Sequence, residues 1–168
     1  MNLRRGLLGF FAAAVLAACT TPGAPPPGSG PVRITLERSV CFGFCPDYTV
    51  TITDEGQVTY DGRRFVNVAG RQTAAIPAAD VERLLARFDA VGFDRLQDEY
   101  RAHVTDLPTY IVTLERNGRT KRVLDYGGTG AGMPEAVRDL QAEIDRTANT
   151  ARWVLRDGQP VRTPGPGH

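Results

Sequence analysis

The chain has 168 residues and carries 20 basic against 19 acidic side chains, a formal net charge of +1. Both signs are interspersed, which excludes the basic stripe of a nucleic-acid binder, so no nucleic-acid partner is expected. Set against its terminal segments, the length leaves room for about one ordinary domain with a real core.

The N-terminus opens with Arg4 and Arg5, then an apolar run from Gly6 to Ala18. Those 13 residues fall short of the about 20 that a membrane-spanning helix needs. A charged start, a short apolar run and small residues at its end describe an export signal over residues 1–18. Its last four positions, Leu16-Ala17-Ala18-Cys19, resemble the lipobox of bacterial lipoproteins. The resemblance implies cleavage before Cys19, a diacylglycerol on its sulfur and an acyl chain such as palmitate on its new amino group. Several acyl chains, each methylene contributing about 0.8 kcal/mol, make a lasting membrane anchor. The rival reading is an ordinary secretory signal with Cys19 a plain thiol. Thr20 stands where an aspartate would retain an enteric-type lipoprotein at the inner membrane, which points to the outer membrane. Loss of residues 1–18 removes two arginines and no acid, leaving 18 basic and 19 acidic side chains. Such neutrality argues against an electrostatic hold on anionic lipid.

Residues 19–31 continue as Cys19 and a Pro/Gly stalk without a large apolar side chain, unable to join a core. Proline keeps such a segment extended at about 3.1 Å per residue, a tether of up to roughly 35 Å. The folded domain is expected over residues 32–154, with a disordered tail over 155–168.

Within the domain, Val32, Ile34 and Leu36 alternate with polar neighbours, and Tyr48, Val50 and Ile52 alternate with Thr49, Thr51 and Thr53. Asp54-Glu55-Gly56 predicts a turn, Val58 and Tyr60 a return strand, and Asp61-Gly62 a second tight turn into "RRFVNV". Residues 32–68 thus predict a meander of three or four antiparallel strands. The period then becomes helical through Val81, Leu84, Leu85, Phe88 and Val91, with Pro77 at the start and Gly92 at the stop. A second hairpin turns at Asn117-Gly118. A last helix starts at Pro134 and carries Val137, Leu140 and Ile144 on one face, with Trp153 packing at its end. The order β-β-β-(β)-α-β-β-α predicts an α+β fold: an antiparallel sheet with two helices packed on one face.

One pattern is more particular: cysteine, aromatic, glycine, any residue, Cys-Pro, any residue, Tyr and a strand. It stands here as Cys41-Phe42-Gly43-Phe44-Cys45-Pro46-Asp47-Tyr48. With "AVGFDRLQDEY" and "TDLPTYIVTLERNG" it resembles bacterial domain-of-unknown-function family 6438, over residues 32 to 154. That family consists largely of envelope or secreted proteins without an established activity, so the resemblance supports the domain boundaries and implies no reaction.

With Cys19 lipidated, Cys41 and Cys45 are the remaining pair, and an even number in an oxidising compartment reads as a disulfide. Gly43 between them permits the reversal that brings the two together. The rival reading is a redox or copper site, because thioredoxin-like copper-delivery proteins also carry C-x-x-x-C-P. Cys41, Cys45 and His103 would then hold Cu(I). Against it, such cysteines open a helix, whereas here a strand follows, and the βαβ units of that fold are missing. Ser39, His103 and Asp106 could be written as a triad, but no G-x-S-x-G elbow presents Ser39. The glycine-rich "DYGGTGAGMPEAV" lacks the G-K-[ST] of a phosphate-binding loop, and Asp94, Asp98 and Glu99 read as a solvated face.

The residues therefore predict a lipid-anchored, periplasm-facing envelope protein, a binding or accessory module rather than an enzyme. Its membrane contact runs through the anchor, its other partner is an envelope protein, and its most distinctive surface is the loop of Phe42, Gly43, Phe44 and Pro46. No cofactor is implied, copper entering only under the redox alternative.

Overall fold

A computed structural model describes residues 30–163. Residues 1–18, Cys19, the stalk through Ser29 and residues 164–168 lie outside the described residues. In chain order the elements are β1 (Arg33–Arg38), β2 (Asp47–Thr53), β3 (Gln57–Arg64), β4 (Gly70–Ala75), α1 (Ala78–Val91), β5 (Glu99–Arg101), β6 (Tyr110–Arg116), β7 (Arg119–Tyr126), α2 (Glu135–Ala148), α3 (Ala151–Val154), β8 (Leu155–Arg156) and β9 (Gln159–Pro160).

The main sheet has seven strands in the order β4-β3-β2-β1-β6-β7-β5. The alternation read from β1 and β2 is what builds it: Ile34, Leu36, Val50 and Ile52 are fully buried beneath the helices. Above them, α1 buries Val81, Leu84 and Phe88, and α2 buries Val137, Leu140, Ile144 and Ala148. Full burial of each such side chain contributes about 1.5–3 kcal/mol, so this single layer interface holds the fold.

The fold is α+β, but two parts of the expectation are corrected. The sheet is mixed rather than antiparallel, because β5 runs parallel to β7, Tyr100 opposite Asp125. The chain reaches β5 by crossing the sheet through α1, and a crossover, unlike a hairpin, leaves strand direction free. There are also three helices rather than two. The last helical stretch breaks at Asn149, which takes a left-handed φ of 52°, and α3 adds one more turn. Trp153 on that turn stacks on Tyr60 with ring centroids 4.9 Å apart.

The turns at Gly56 (φ 79°) and at Asn117-Gly118 (φ 54° and 69°) stand where glycine and asparagine predict them. Asp61-Gly62, in contrast, lies inside β3 and turns nothing. Gly62 is buried, and a Cβ there would sit 2.4 Å from the Val68 carbonyl oxygen, 2.5 Å from the Tyr60 hydroxyl and 2.8 Å from its ring. Close approach by the Val68 backbone and the Tyr60 side chain, not positive φ, is what this glycine serves. The reversal comes later, with Phe65 at φ 54°, and the expected strand in "RRFVNV" is replaced by β4 at Gly70–Ala75. Asn67 and Val68 instead donate their amides to the Val154 and Trp153 carbonyls. Residues 155–163, expected as tail, carry the β8–β9 hairpin, and Val161 is buried.

The face away from the helices is polar. At one level it carries a row of threonines across five strands, Thr73, Thr59, Thr51, Thr35 and Thr113, ending at Arg122. β-branched side chains favour strands, and a hydroxyl suits the wet side.

Candidate functional site

β1 enters from Gly30, beside the β6–β7 turn: a Cβ on Gly30 would lie 3.3 Å from the Gly118 nitrogen. The strand then runs to Arg38 and delivers the cysteine loop at the opposite end of the sheet. There Cys41 and Cys45 form a disulfide with Cα atoms 5.5 Å apart. Gly43 takes φ of 153°, and its amide donates to the Cys41 carbonyl, so the loop doubles back within the bridge. A loop of that size gains about 2 kcal/mol from the bridge, which makes it a local pin rather than a support for the whole fold.

The bridge pulls Phe42 outward. Phe42 is 88 % exposed, while Phe44 is half covered, its ring set edge-on to Phe65 at 5.6 Å. A second loop, residues 102–109, lies against the first. The Phe42 amide donates to the Asp106 carbonyl (3.1 Å) and the Ser39 amide to the Thr109 carbonyl (3.0 Å). This neighbour adds Val104 and Leu107, 48 % and 41 % exposed. Among the described residues, the exposed large hydrophobic side chains are Phe42, Phe44, Val104 and Leu107, all on these two adjoining loops. Single exposed apolar side chains are ordinary; four gathered at one end mark a contact surface.

The redox and catalytic alternatives meet a different geometry. Both sulfurs are bonded to each other, and among the described residues no group of three His, Cys, Asp or Glu side chains could hold a metal ion, Cys41, Cys45 and His103 included. Ser39 is held by the main chain, its hydroxyl donating to the Val40 carbonyl and accepting from the Thr109 amide. Asp106 accepts the Thr105 hydroxyl. In the glycine-rich segment the amides are already engaged: Gly128 donates to the Asp125 carboxylate, Gly130 to Gly127, Gly132 to Thr129 and Met133 to Gly128. Such a loop offers an anion little. Asp94 pairs with Arg116, Asp98 with Lys121 and Glu99 with Arg101 on the surface. The hydrogen bonds that Arg116 donates to Asp94 and then to Asp89 raise its pKa.

Beneath the two loops lies a polar cluster that the sequence reading did not single out. Asp145, on the last turn of α2, accepts Arg38 Nε at 2.9 Å and Nη2 at 2.5 Å. The same carboxylate accepts the Tyr48 hydroxyl at 2.7 Å and the Thr150 hydroxyl at 2.8 Å. The Arg38 guanidinium also lies 4.5 Å from the centre of the Tyr110 ring. Burial, then the nearby Asp145 charge, pushes the Tyr48 hydroxyl far above its ordinary pKa. Burial alone would lower the Arg38 pKa, but the Asp145 carboxylate, joined by Tyr48 and Tyr110, outweighs it and the net shift is upward. A helix C-terminus disfavours an anion, and the arginine compensates Asp145 there. A clue was present in the alternation: Arg38 follows Ile34 and Leu36 in the core-facing phase of β1, where an unpaired charge would not be tolerated. The cluster braces the ends of β1, β2 and β6 against α2, and so steadies the base of the exposed loops.

Among the described residues no helix is long and apolar enough to cross a membrane. No curated protein matches the chain. Residues 32–148 match the family model described as a domain of unknown function, DUF6438. A match covering that much of the folded part, through the disulfide loop and both main helices, makes the chain a member of the DUF6438 family.

Proposed function

We propose that the protein is an exported, lipid-anchored binding module of the cell envelope that offers its disulfide-pinned aromatic loop to a protein partner. The observation that carries this reading is Phe42, an aromatic ring 88 % exposed on a loop tied at its base by Cys41–Cys45. Solvent offers nothing for such an exposed ring, whereas aromatic anchors on a rigid base dominate interface energetics. Preorganisation by the bridge lowers the ordering cost of binding. The anchor rests on Leu16-Ala17-Ala18-Cys19. The described chain begins beside Gly118, at the sheet end opposite Phe42, so a stalk joined there leaves the aromatic loop uncrowded by its own attachment.

A photo-crosslinking residue at Val104 of the full chain, expressed in its native envelope, tests the surface. The expected result is a discrete protein adduct that disappears in the Phe42→Ala variant and is missing when the crosslinker stands at Asn67. An adduct that persists in Phe42→Ala, or none at Val104, overturns the reading. Mass spectrometry of the cellular protein tests the anchor: a diacylglyceryl Cys19 at a new N-terminus is expected, and an uncleaved leader defeats it.

A further inference from the structure

The two edges of the main sheet are treated differently. β5 closes one side with three residues, and its Glu99 and Arg101 side chains pair with each other at 2.5 Å. Short, charged edges of this kind discourage further pairing. β4 closes the other side with six residues, Gly70–Ala75, in unbroken register with β3 from Gly62 opposite Gly70 to Gln57 opposite Ala75. It contains no proline, no lysine and no bulge, and among the described residues no strand lies beyond it in the sheet.

Its hydrogen-bonding groups can be assigned by alternation. The Ile76 amide donates to the carbonyl of Gly56, the turn residue that leads into β3. Even-numbered residues of β4 therefore turn their main-chain groups inward, and Arg71, Thr73 and Ala75 turn theirs outward. We propose that this edge is a homodimer interface, in which two copies of the chain pair β4 with β4 in antiparallel fashion about a two-fold axis at Thr73.

The strand is self-complementary in that register. Thr73 faces Thr73 of the second copy, and Arg71 faces Ala75 of the second copy, so all three outward residues find hydrogen-bonded partners. Centring the axis on Gln72 instead sets Ala75 against Ala69, beyond the strand. Centring it between two residues would place helix-side residues against open-face residues, which the pleat forbids. Arg71, the only charged residue of β4, faces an alanine and keeps Asp61 as its neighbour on β3, so no like charges meet. Thr73 ends the threonine row of the open face, and the pairing carries that row across into the second copy through a favourable Thr–Thr pair. Both helical layers stay on one side, and the two domains run head to tail.

Cysteine crosslinking in the full chain tests the register, with the parent protein and its own three cysteines as the background. Thr73→Cys is expected to give a disulfide-linked dimer on oxidation, since Cα atoms across a hydrogen-bonded antiparallel pair lie about 5.5 Å apart. Arg71→Cys alone should not crosslink, because the two copies of that residue lie about 14 Å apart, whereas mixed with Ala75→Cys it should. Thr73→Pro, which removes an outward amide, should sediment as a monomer with an unchanged far-ultraviolet circular dichroism spectrum. A parent chain that is monomeric at every concentration overturns the proposal. So does crosslinking of Arg71→Cys alone as readily as Thr73→Cys, or a Thr73→Cys adduct to a different protein in place of the dimer.

Discussion

Arg38 on β1 and Asp145 on α2 meet across 107 positions of sequence, through two hydrogen bonds to one carboxylate oxygen. The pair is mostly shielded, each side chain keeping 18 % of its exposure, and Tyr48 and Thr150 complete the shell of donors around the acid. Removing one member leaves the other charge stranded. Asp145→Ala is expected to cost about 3–5 kcal/mol, and Asp145→Asn, which keeps an acceptor, less. Urea unfolding checks this, the midpoint falling with little change in slope.

Alkali should find the tyrosines beside that pair. Burial raises the hydroxyl pKa of both Tyr48 and Tyr60 above the ordinary value of about 10. The unfolded chain then loses these protons first. Stability is expected to be insensitive to these groups up to about pH 10 and to fall above it, by up to about 1.4 kcal/mol per pH unit for each tyrosine. Tyr48→Phe should make the alkaline slope shallower while lowering stability at neutral pH by about 1.5–3 kcal/mol through the lost bond to Asp145. Denaturant titrations on both sides of pH 10 measure it, and an unchanged alkaline slope contradicts it.

Reduction of Cys41–Cys45, or the Cys41→Ser/Cys45→Ser double variant, is expected to cost only about 2 kcal/mol and to leave the fold intact. Thiol titration of the native protein should find neither cysteine free. A pair that reduces readily and takes up Cu(I) stoichiometrically would instead support the redox alternative.

Gly62→Ala should be costly although its backbone is not left-handed. The new methyl meets the Val68 carbonyl oxygen as well as the Tyr60 hydroxyl and ring, so the penalty is steric, about 1–3 kcal/mol or more. Thermal unfolding of this variant against one that also carries Tyr60→Leu separates the clash from any general effect, the double variant recovering part of the loss.

Phe42→Ala should leave stability within about 0.5 kcal/mol of the parent, since the ring packs on little. Phe65→Ala, which removes a buried ring, should cost about 3–5 kcal/mol. Loss of partner binding in the first variant without loss of stability is the signature of a contact residue.

Much of the layer arrangement was legible because it rests on local signals. The alternation of β1 and β2, the helical spacing from Val81 to Phe88, and the glycine stops at Gly92 and Gly118 each state their own geometry. What stayed hidden depends on tertiary partners. β4 has no alternation of its own and becomes a strand because β3 lies beside it. The three residues of β5 are extended only through β7, and Gly62 looks like a turn until Tyr60 is seen above it. The cysteine loop was readable as a pair, whereas its neighbour at Val104 and Leu107 depends on the hydrogen bond between Phe42 and Asp106. Spacing along the chain carries no trace of that contact.

The central place of β1 has a mechanical consequence. It is the one element that joins the Gly30 side to the Cys41 side directly, and it is laddered to β2 on one flank and β6 on the other. A tug on the aromatic end against a restraint at Gly30 therefore runs along the backbone of this one strand, which is already extended and has no slack to give. The load passes through covalent bonds and asks neither ladder to open.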